Sequence, residues 1–233
     1  MRLDRLVGKW AGIGKRRTRE LFEAGRVRFN GITMAAGGVA VGTFDRVEVD
    51  GKILQERVPR YVILNKPAGV VSATVDQEHT TVISLIDVEW AGELHLAGRL
   101  DRFTTGLVVL TNDSRYSEWL TLPGSKVGKV YLVEVDGGIG EEVVAAFQKG
   151  VAFEKEGITT APAKVELLAS NRCRLTIYEG KHHQVKRMFA RFELKVISLH
   201  REAMGDIWLP DDLEGGAWRE FRPRIPTFLG SQT

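Results

Sequence analysis

The chain has 233 residues, 43% of them apolar, with one cysteine and a formal net charge of +3. That length admits one large domain or a small one beside a medium one. No apolar run approaches the roughly 18 residues of a membrane span, and Cys173 alone excludes an internal disulfide.

The start, MRLDRLVGKW, alternates charged and apolar residues where a secretory signal would be continuously apolar. A soluble, cytoplasmic protein with no membrane partner is therefore expected. The modest net charge hides a division. Residues 1–31 carry nine basic residues (Arg2, Arg5, Lys9, Lys15, Arg16, Arg17, Arg19, Arg26 and Arg28) against three acids, a net of +6. The remainder carries 24 basic and 27 acidic residues, a net of −3. This asymmetry suits a basic module that meets a polyanion, joined to a near-neutral body.

In chain order, Leu3, Leu6, Val7 and Trp10 have the spacing of an amphipathic helix. A second helix is predicted over Lys15–Ala24, burying Leu21 and Phe22, with Gly25 as its stop. RVRFNGITM predicts a hairpin about a type I′ turn at Asn30-Gly31, and a short strand in DRVEVDG ends the unit. Such a core is small but feasible. The clustering of Lys15, Arg16, Arg17 and Arg19 at one helix start, beside Arg26 and Arg28, favours phosphate contact over a merely solvated face. KILQERVP reads as a polar linker, so the expected divisions are 1–52, a linker at 53–59, and 60–233.

YVILNKPAG predicts a buried strand broken at Lys66-Pro67, with Gly69 allowing a turn. In AGRLDRFTTGLVVLTND, residues 97–113, Asp101 lies between Arg99 and Arg102 at the mouth of a core strand. A short helix near Arg115–Thr121 follows, capped by Asp113 or Ser114. KVYLVEV, residues 129–135, places Lys129, Tyr131, Val133 and Val135 on one strand face. Glu141 and Glu142 open a helix that Lys149 and Gly150 close. RCRLTIYEG alternates Cys173, Leu175 and Ile177 inward, and HHQVKRMFARF carries Val185, Met188, Phe189 and Phe192 as one helical stripe, leaving Gln184, Lys186, Arg187 and Arg191 largely off it. Strands outnumber helices and hairpin connections dominate, so the fold class is α+β, with a mixed, mainly antiparallel sheet and flanking helices.

Several chemistries are missing. There is no GxGxxG after a strand, no P-loop and no spaced His/Cys set for zinc; adjacent His182-His183 cannot easily point at one ion. Cys173, on an inward row, reads as core. Asp101, Tyr131 and the basic helix start around Lys186 remain.

GRLDRFTTGLVVLTND resembles the aspartate motif of pseudouridine synthases, and LNKPAG, KVYLVEV and EGKHHQVKRMF resemble further motifs of that family in matching order. The basic start through AGRVRFNG to DRVEVDG is similar to the ribosomal-protein-S4-like RNA-binding domain often joined to them. The closest likeness is to the bacterial members that act on small-subunit rRNA. The resemblance implies isomerisation of one uridine without cofactor or metal: the base leaves the ribose at N1, turns, and rejoins through C5. Asp101 matches the essential aspartate, either a nucleophile at C1′ or a base at the C2′ proton. Both roles need an ionised carboxylate. A nearby cation favours that form, supplying roughly 4 kcal/mol of Coulomb attraction at about 4 Å and an effective dielectric near 20, before desolvation.

By the same resemblance the cation is Lys186, with Arg187 next door as the alternative, and Tyr131 packs on the flipped base and assists at C5. Lysine stands where many relatives have arginine and cannot form the bidentate fork. Arg99, Leu100, Arg102, Thr104, Gln184 and Arg187 are assigned to the substrate pocket. For Arg99 and Arg102, loop bracing is the competing role, and Thr104 and Thr105 are expected to fix the loop by local hydrogen bonds. Lys66-Pro67 is taken as architectural. Arg2, Arg5, Lys15, Arg16, Arg17, Arg19, Arg26 and Arg28 are the expected RNA contacts of the first domain. The expected partner of a monomeric enzyme is 16S rRNA or a partly assembled small subunit. The alternatives are a large-subunit (23S) target, a non-catalytic rRNA-binding assembly factor, and a glycosylase that releases uracil.

Overall fold

A computed structural model describes residues 1–224 and 226. The chain divides into two compact units, Met1–Pro59 and a larger one beginning at Arg60. Among the described residues no helix is long and apolar enough to cross a membrane.

In the first unit, α1 (Leu3–Ala11) and α2 (Lys15–Glu23) cover a sheet of β1 (Val27–Phe29), β2 (Ile32–Thr33), β3 (Val47–Val49) and β4 (Lys52–Gln55), ordered β2-β1-β3-β4. Leu3, Val7, Phe22, Val27, Val47 and Val49 form its core. Two expectations change here. Trp10 stays 49% exposed, so the helical stripe stops at Val7. The segment expected as linker from residue 53 opens as strand, because Lys52–Gln55 pair with β3. Asp50 (φ +51°) and Gly51 (φ +77°) close that hairpin with the same pair of positive φ angles as Asn30 and Gly31. Only Glu56–Pro59 is left between strand and second unit.

The second unit is built on one mixed sheet. Its elements are β5 (Tyr61–Lys66), β6 (His95–Ala97), β7 (Thr105–Thr111), α3 (Ser114–Thr121), β8 (Lys129–Val135), α4 (Glu141–Lys149), β9 (Ala152–Phe153) and β10 (Ile158–Thr159). There follow β11 (Lys164–Ala169), β12 (Arg172–Ile177), α5 (Gln184–Ala190), β13 (Val196–Met204), β14 (Ile207–Trp208) and β15 (Trp218–Glu220). The main order is β11-β12-β8-β13-β7-β5-β15, with β14 on β13, β6 on β7, and β9 and β10 a separate ribbon. Among the named strands of this sheet β13 and β7 run parallel and the other pairs are antiparallel. Alternation holds in β8, where Lys129, Tyr131, Val133 and Val135 are buried and the residues between them are half-buried.

One face of the sheet packs against α4 and α5 through Val143, Phe147, Met188 and Phe189. The other packs against α3 through Tyr116 and Leu120. The Asp113 side chain caps α3 by accepting from the Arg115 and Tyr116 N–H groups. The parallel contact explains one glycine. Gly106 has φ +102°, and a Cβ there would lie 2.4 Å from the Arg201 carbonyl oxygen, so only glycine lets β7 approach β13 this closely. The Arg201 side chain, 2% exposed, then donates from Nε to the Leu107 oxygen at 2.8 Å.

Candidate active site

Asp101 begins a four-residue turn closed by the Thr104 N–H donating to the Asp101 oxygen at 3.0 Å. Neighbouring groups fix this turn in place. Ser72 Oγ donates to the Leu100 oxygen at 2.8 Å and accepts from the Leu100 N–H at 3.0 Å. The Gly69 N–H donates to the Arg102 oxygen at 2.9 Å. Lys66, wholly buried at the end of β5, donates from Nζ to the Pro67 and Arg102 oxygens, each at 2.9 Å. NKPAG and the aspartate turn are thus tied by one amine, which is architecture as expected for Lys66-Pro67.

Burial pushes the Lys66 amine down to about 8, opposed by the Asp101 carboxylate. The unfolded chain therefore binds more protons here between about pH 8 and 10.5, and stability attributable to this group rises with pH across that window. From pH 7.5 to 9.5, unfolding free energy in denaturant should climb about 2 kcal/mol more for the wild type than for Lys66→Met. Equal slopes would show that Lys66 is not a buried amine of lowered affinity for its proton.

The second wall comes from the segment entering α5. The buried Glu179 accepts from the Ala161 N–H at 3.0 Å, from Gln184 Nε2 at 2.8 Å and from Lys181 Nζ. Gln184 Oε1 accepts in turn from the Lys181 N–H at 2.9 Å. His183, in the left-handed region at φ +50°, turns the chain into the helix. His183 and Lys186, three residues apart, then face the aspartate together. Lys186 Nζ donates to Asp101 Oδ2 at 2.9 Å, and His183 Nε2 lies 3.4 Å from Oδ1. Tyr131 reaches the same place from β8, 8% exposed. Together with Thr104 and Arg99 they border a cleft of about 80 Å³.

The predicted residues divide plainly. Asp101, Tyr131, Lys186, Arg99, Leu100, Thr104 and Gln184 border the cleft, whereas Arg102 and Arg187 do not. Arg187 is not the aspartate's partner: its guanidinium lies 3.9 Å over the Phe153 ring and pairs with Glu156. Arg102 braces the adjoining loop, donating from Nε to the Gly69 oxygen at 3.2 Å and meeting His79 Nε2 at 3.0 Å. Gln184 is not off the apolar stripe but 3% exposed, with both ends of its amide engaged within the segment it steadies. Thr104 does not brace the loop through its hydroxyl, which is buried and without a partner beside the cleft. Among the described residues Thr105 makes no local side-chain bond either: its hydroxyl meets His200 Nδ1 at 2.8 Å, tying β7 to β13 across the sheet. Arg99 is exposed at the rim and has no side-chain hydrogen-bond or ion partner among the described residues.

His183 was missed because an adjacent histidine pair was weighed only as metal ligands. Its position three residues before Lys186 was the available signal. No group of three or more His, Cys, Asp or Glu residues placed to hold a metal occurs among the described residues.

The family described as RNA pseudouridylate synthase matches residues 60–191, more than half of the chain. The chain belongs to that family, and it is an RNA pseudouridine synthase. It is 46% identical over 220 residues to "Ribosomal small subunit pseudouridine synthase A" of Pseudomonas aeruginosa, covering 94% of this chain and 96% of the relative. The protein of the same name from Escherichia coli is 39% identical, covering 94% and 95%. A solved structure, "Crystal structure of pseudouridylate synthase", superposes with a TM-score of 0.69 at 36% identity, covering 95% of this chain and 96% of its own.

Proposed function

We propose that this enzyme converts one uridine of small-subunit (16S) rRNA to pseudouridine, with Asp101 as the reacting carboxylate. The observation that carries the assignment of residues is the Lys186–Asp101 pair at 2.9 Å in a cleft walled by Tyr131. The relatives named for the small ribosomal subunit support the choice of RNA.

The uridine is extruded from its strand at a cost of a few kcal/mol, least in loops and bulges. Lys186 holds the carboxylate by a hydrogen bond to Oδ2, with His183 beside Oδ1, and together they aim it at the ribose. Whether it bonds C1′ or takes the C2′ proton, the N1–C1′ bond breaks and the uracil turns. The C5–C1′ bond then forms as the Asp101–C1′ bond breaks or C2′ regains its proton, the C5 proton passes to solvent and N1 takes one up. Tyr131 supports the ring during that turn, and the unpartnered Thr104 hydroxyl and free Arg99 are available to the nucleotide. Mapping pseudouridine across rRNA from cells lacking this protein tests the reading. One 16S position should revert to uridine. Loss confined to 23S rRNA, or no loss, contradicts it.

The first unit is assigned as the S4-like RNA-binding module. Four of its eight candidate cations, Arg2, Arg16, Arg19 and Arg26, sit in exposed pairs with acids. Exposed pairs are worth little and yield readily to phosphate. Arg5, Lys15 and Arg17 are exposed. With about four to six phosphate contacts on single-stranded RNA, log affinity should fall against log salt with a slope of roughly −3 to −4. Replacing Arg5, Lys15 and Arg17 together by alanine should flatten the slope by about 2. Filter binding at several salt concentrations reads it, and an unchanged slope would remove this unit from the interface.

A further inference from the structure

We propose that Phe103 is a stacking platform for an unpaired base flanking the target uridine. This rests on the reading of the neighbouring cleft as the site of uridine modification.

The turn from Asp101 to Thr104 has two kinds of residue. Its ends, Asp101 and Thr104, border the cleft, while its corners, Arg102 and Phe103, are exposed and do not. Phe103 is 69% exposed. The ring contributes to no core cluster among the described residues, so its contact area is open to a partner.

Its setting is not that of a loose loop tip. The turn is locked by Lys66, Gly69 and Ser72 through backbone hydrogen bonds. Arg102, itself tied to the Gly69 oxygen and His79, places its guanidinium carbon 5.3 Å over the Phe103 ring. The ring is therefore presented by a rigid turn, with a fixed cation over it.

The chemistry of the partner follows from position and charge. Phe103 is two residues from Asp101, within about 7 Å along the backbone. A uridine drawn out to Asp101 leaves its neighbour without a stacking partner. A flat aromatic surface at that distance replaces the lost contact for any base, since every base has a π-face. Arg102 puts positive charge beside the ring, suited to the phosphate of an adjoining nucleotide.

The test uses the full chain and a small-subunit rRNA transcript. Phe103→Ala should weaken binding and raise KM by roughly 5- to 150-fold, the range of one base–aromatic stack, with single-turnover kcat changed less than about 3-fold and thermal unfolding unmoved. Phe103→Trp and Phe103→Tyr should restore affinity to near the wild-type value, whereas Phe103→Leu should behave like alanine. Unchanged affinity in Phe103→Ala, full rescue by leucine, or a loss confined to kcat would each overturn the proposal. Pseudouridine yield from the wild type reports separately on the activity. No product from the wild type would defeat that reading, while the comparison of dissociation constants still decides for the ring.

Discussion

Replacing Asp101 by alanine is expected to lower pseudouridine formation by at least about 1,000-fold while leaving RNA affinity within about 3-fold of the wild type. The size follows from its role: a group that must form a bond to the sugar or take its proton has no substitute in the cleft. Protein stability should change little. The Asp101 side chain is 28% exposed, and its contacts are Lys186, itself 37% exposed, and His183 at 46%. Losing the carboxylate leaves these two side chains part-exposed, and the buried Lys66 amine, which loses the opposing Asp101 charge, keeps its hydrogen bonds to the Pro67 and Arg102 oxygens. The turn survives because its locks, from Ser72, Gly69 and Lys66, all reach backbone atoms. Asp101→Asn sharpens the result, since it keeps shape and loses charge. Single-turnover assays with tritium released from C5 of the uracil read the chemistry, and filter binding reads the affinity. Turnover by a pure Asp101→Ala sample within tenfold of wild type would remove Asp101 from the reaction.

Lys186→Met should give the second largest loss, about 100- to 1,000-fold in single-turnover rate, with KM nearly unchanged. The methionine keeps the aliphatic stem over the helix and removes the ammonium 2.9 Å from Asp101 Oδ2. Among the described residues, His183 Nε2 at 3.4 Å from Oδ1 is then the remaining side-chain neighbour of the carboxylate, so its aim is held from one side. Lys186→Arg should retain more activity than Lys186→Met, because the charge remains even though guanidinium geometry differs. If methionine and wild type turned over alike, the ion pair would be a surface feature without consequence for the chemistry. Arg187→Met provides the contrast. Arg187 lies over Phe153 and against Glu156, so its loss should cost stability before rate.

Much of the second unit was legible from alternation alone. Tyr61–Lys66, Thr105–Thr111, Lys129–Val135 and Arg172–Ile177 are strands where apolar residues repeat or alternate, and Glu141–Lys149 is a helix between its charged ends. Short or polar strands carried no such signal. Lys52–Gln55 was hidden by its lysine and glutamine although Asp50-Gly51, a hairpin dipeptide, stood before it. The parallel contact of β13 with β7 depends on pairing residues 94 or more positions apart, as in Arg201 with Leu107, which no local pattern encodes.

The site was legible in a different way. Asp101, Tyr131 and Lys186 were singled out as residues with chemistry to offer, but their meeting came from the resemblance, since 85 residues separate the ion pair. What escaped was set by hydrogen-bond demand rather than by composition. Gln184 is buried because Glu179 and the Lys181 N–H engage its amide. Arg102 turns away because the Gly69 oxygen and His79 claim it. A polar residue's partners lie elsewhere in the chain, so its direction is settled only by folding.

The most direct test is the identity of the product. Purified protein is incubated with a small-subunit rRNA transcript, which is then analysed by mass, by carbodiimide labelling and for free base. The wild type should produce a mass-neutral, carbodiimide-reactive uridine isomer at one position and release no uracil, while Asp101→Asn binds the transcript and produces none. Free uracil from the wild type, or isomer from the asparagine variant, would contradict the account.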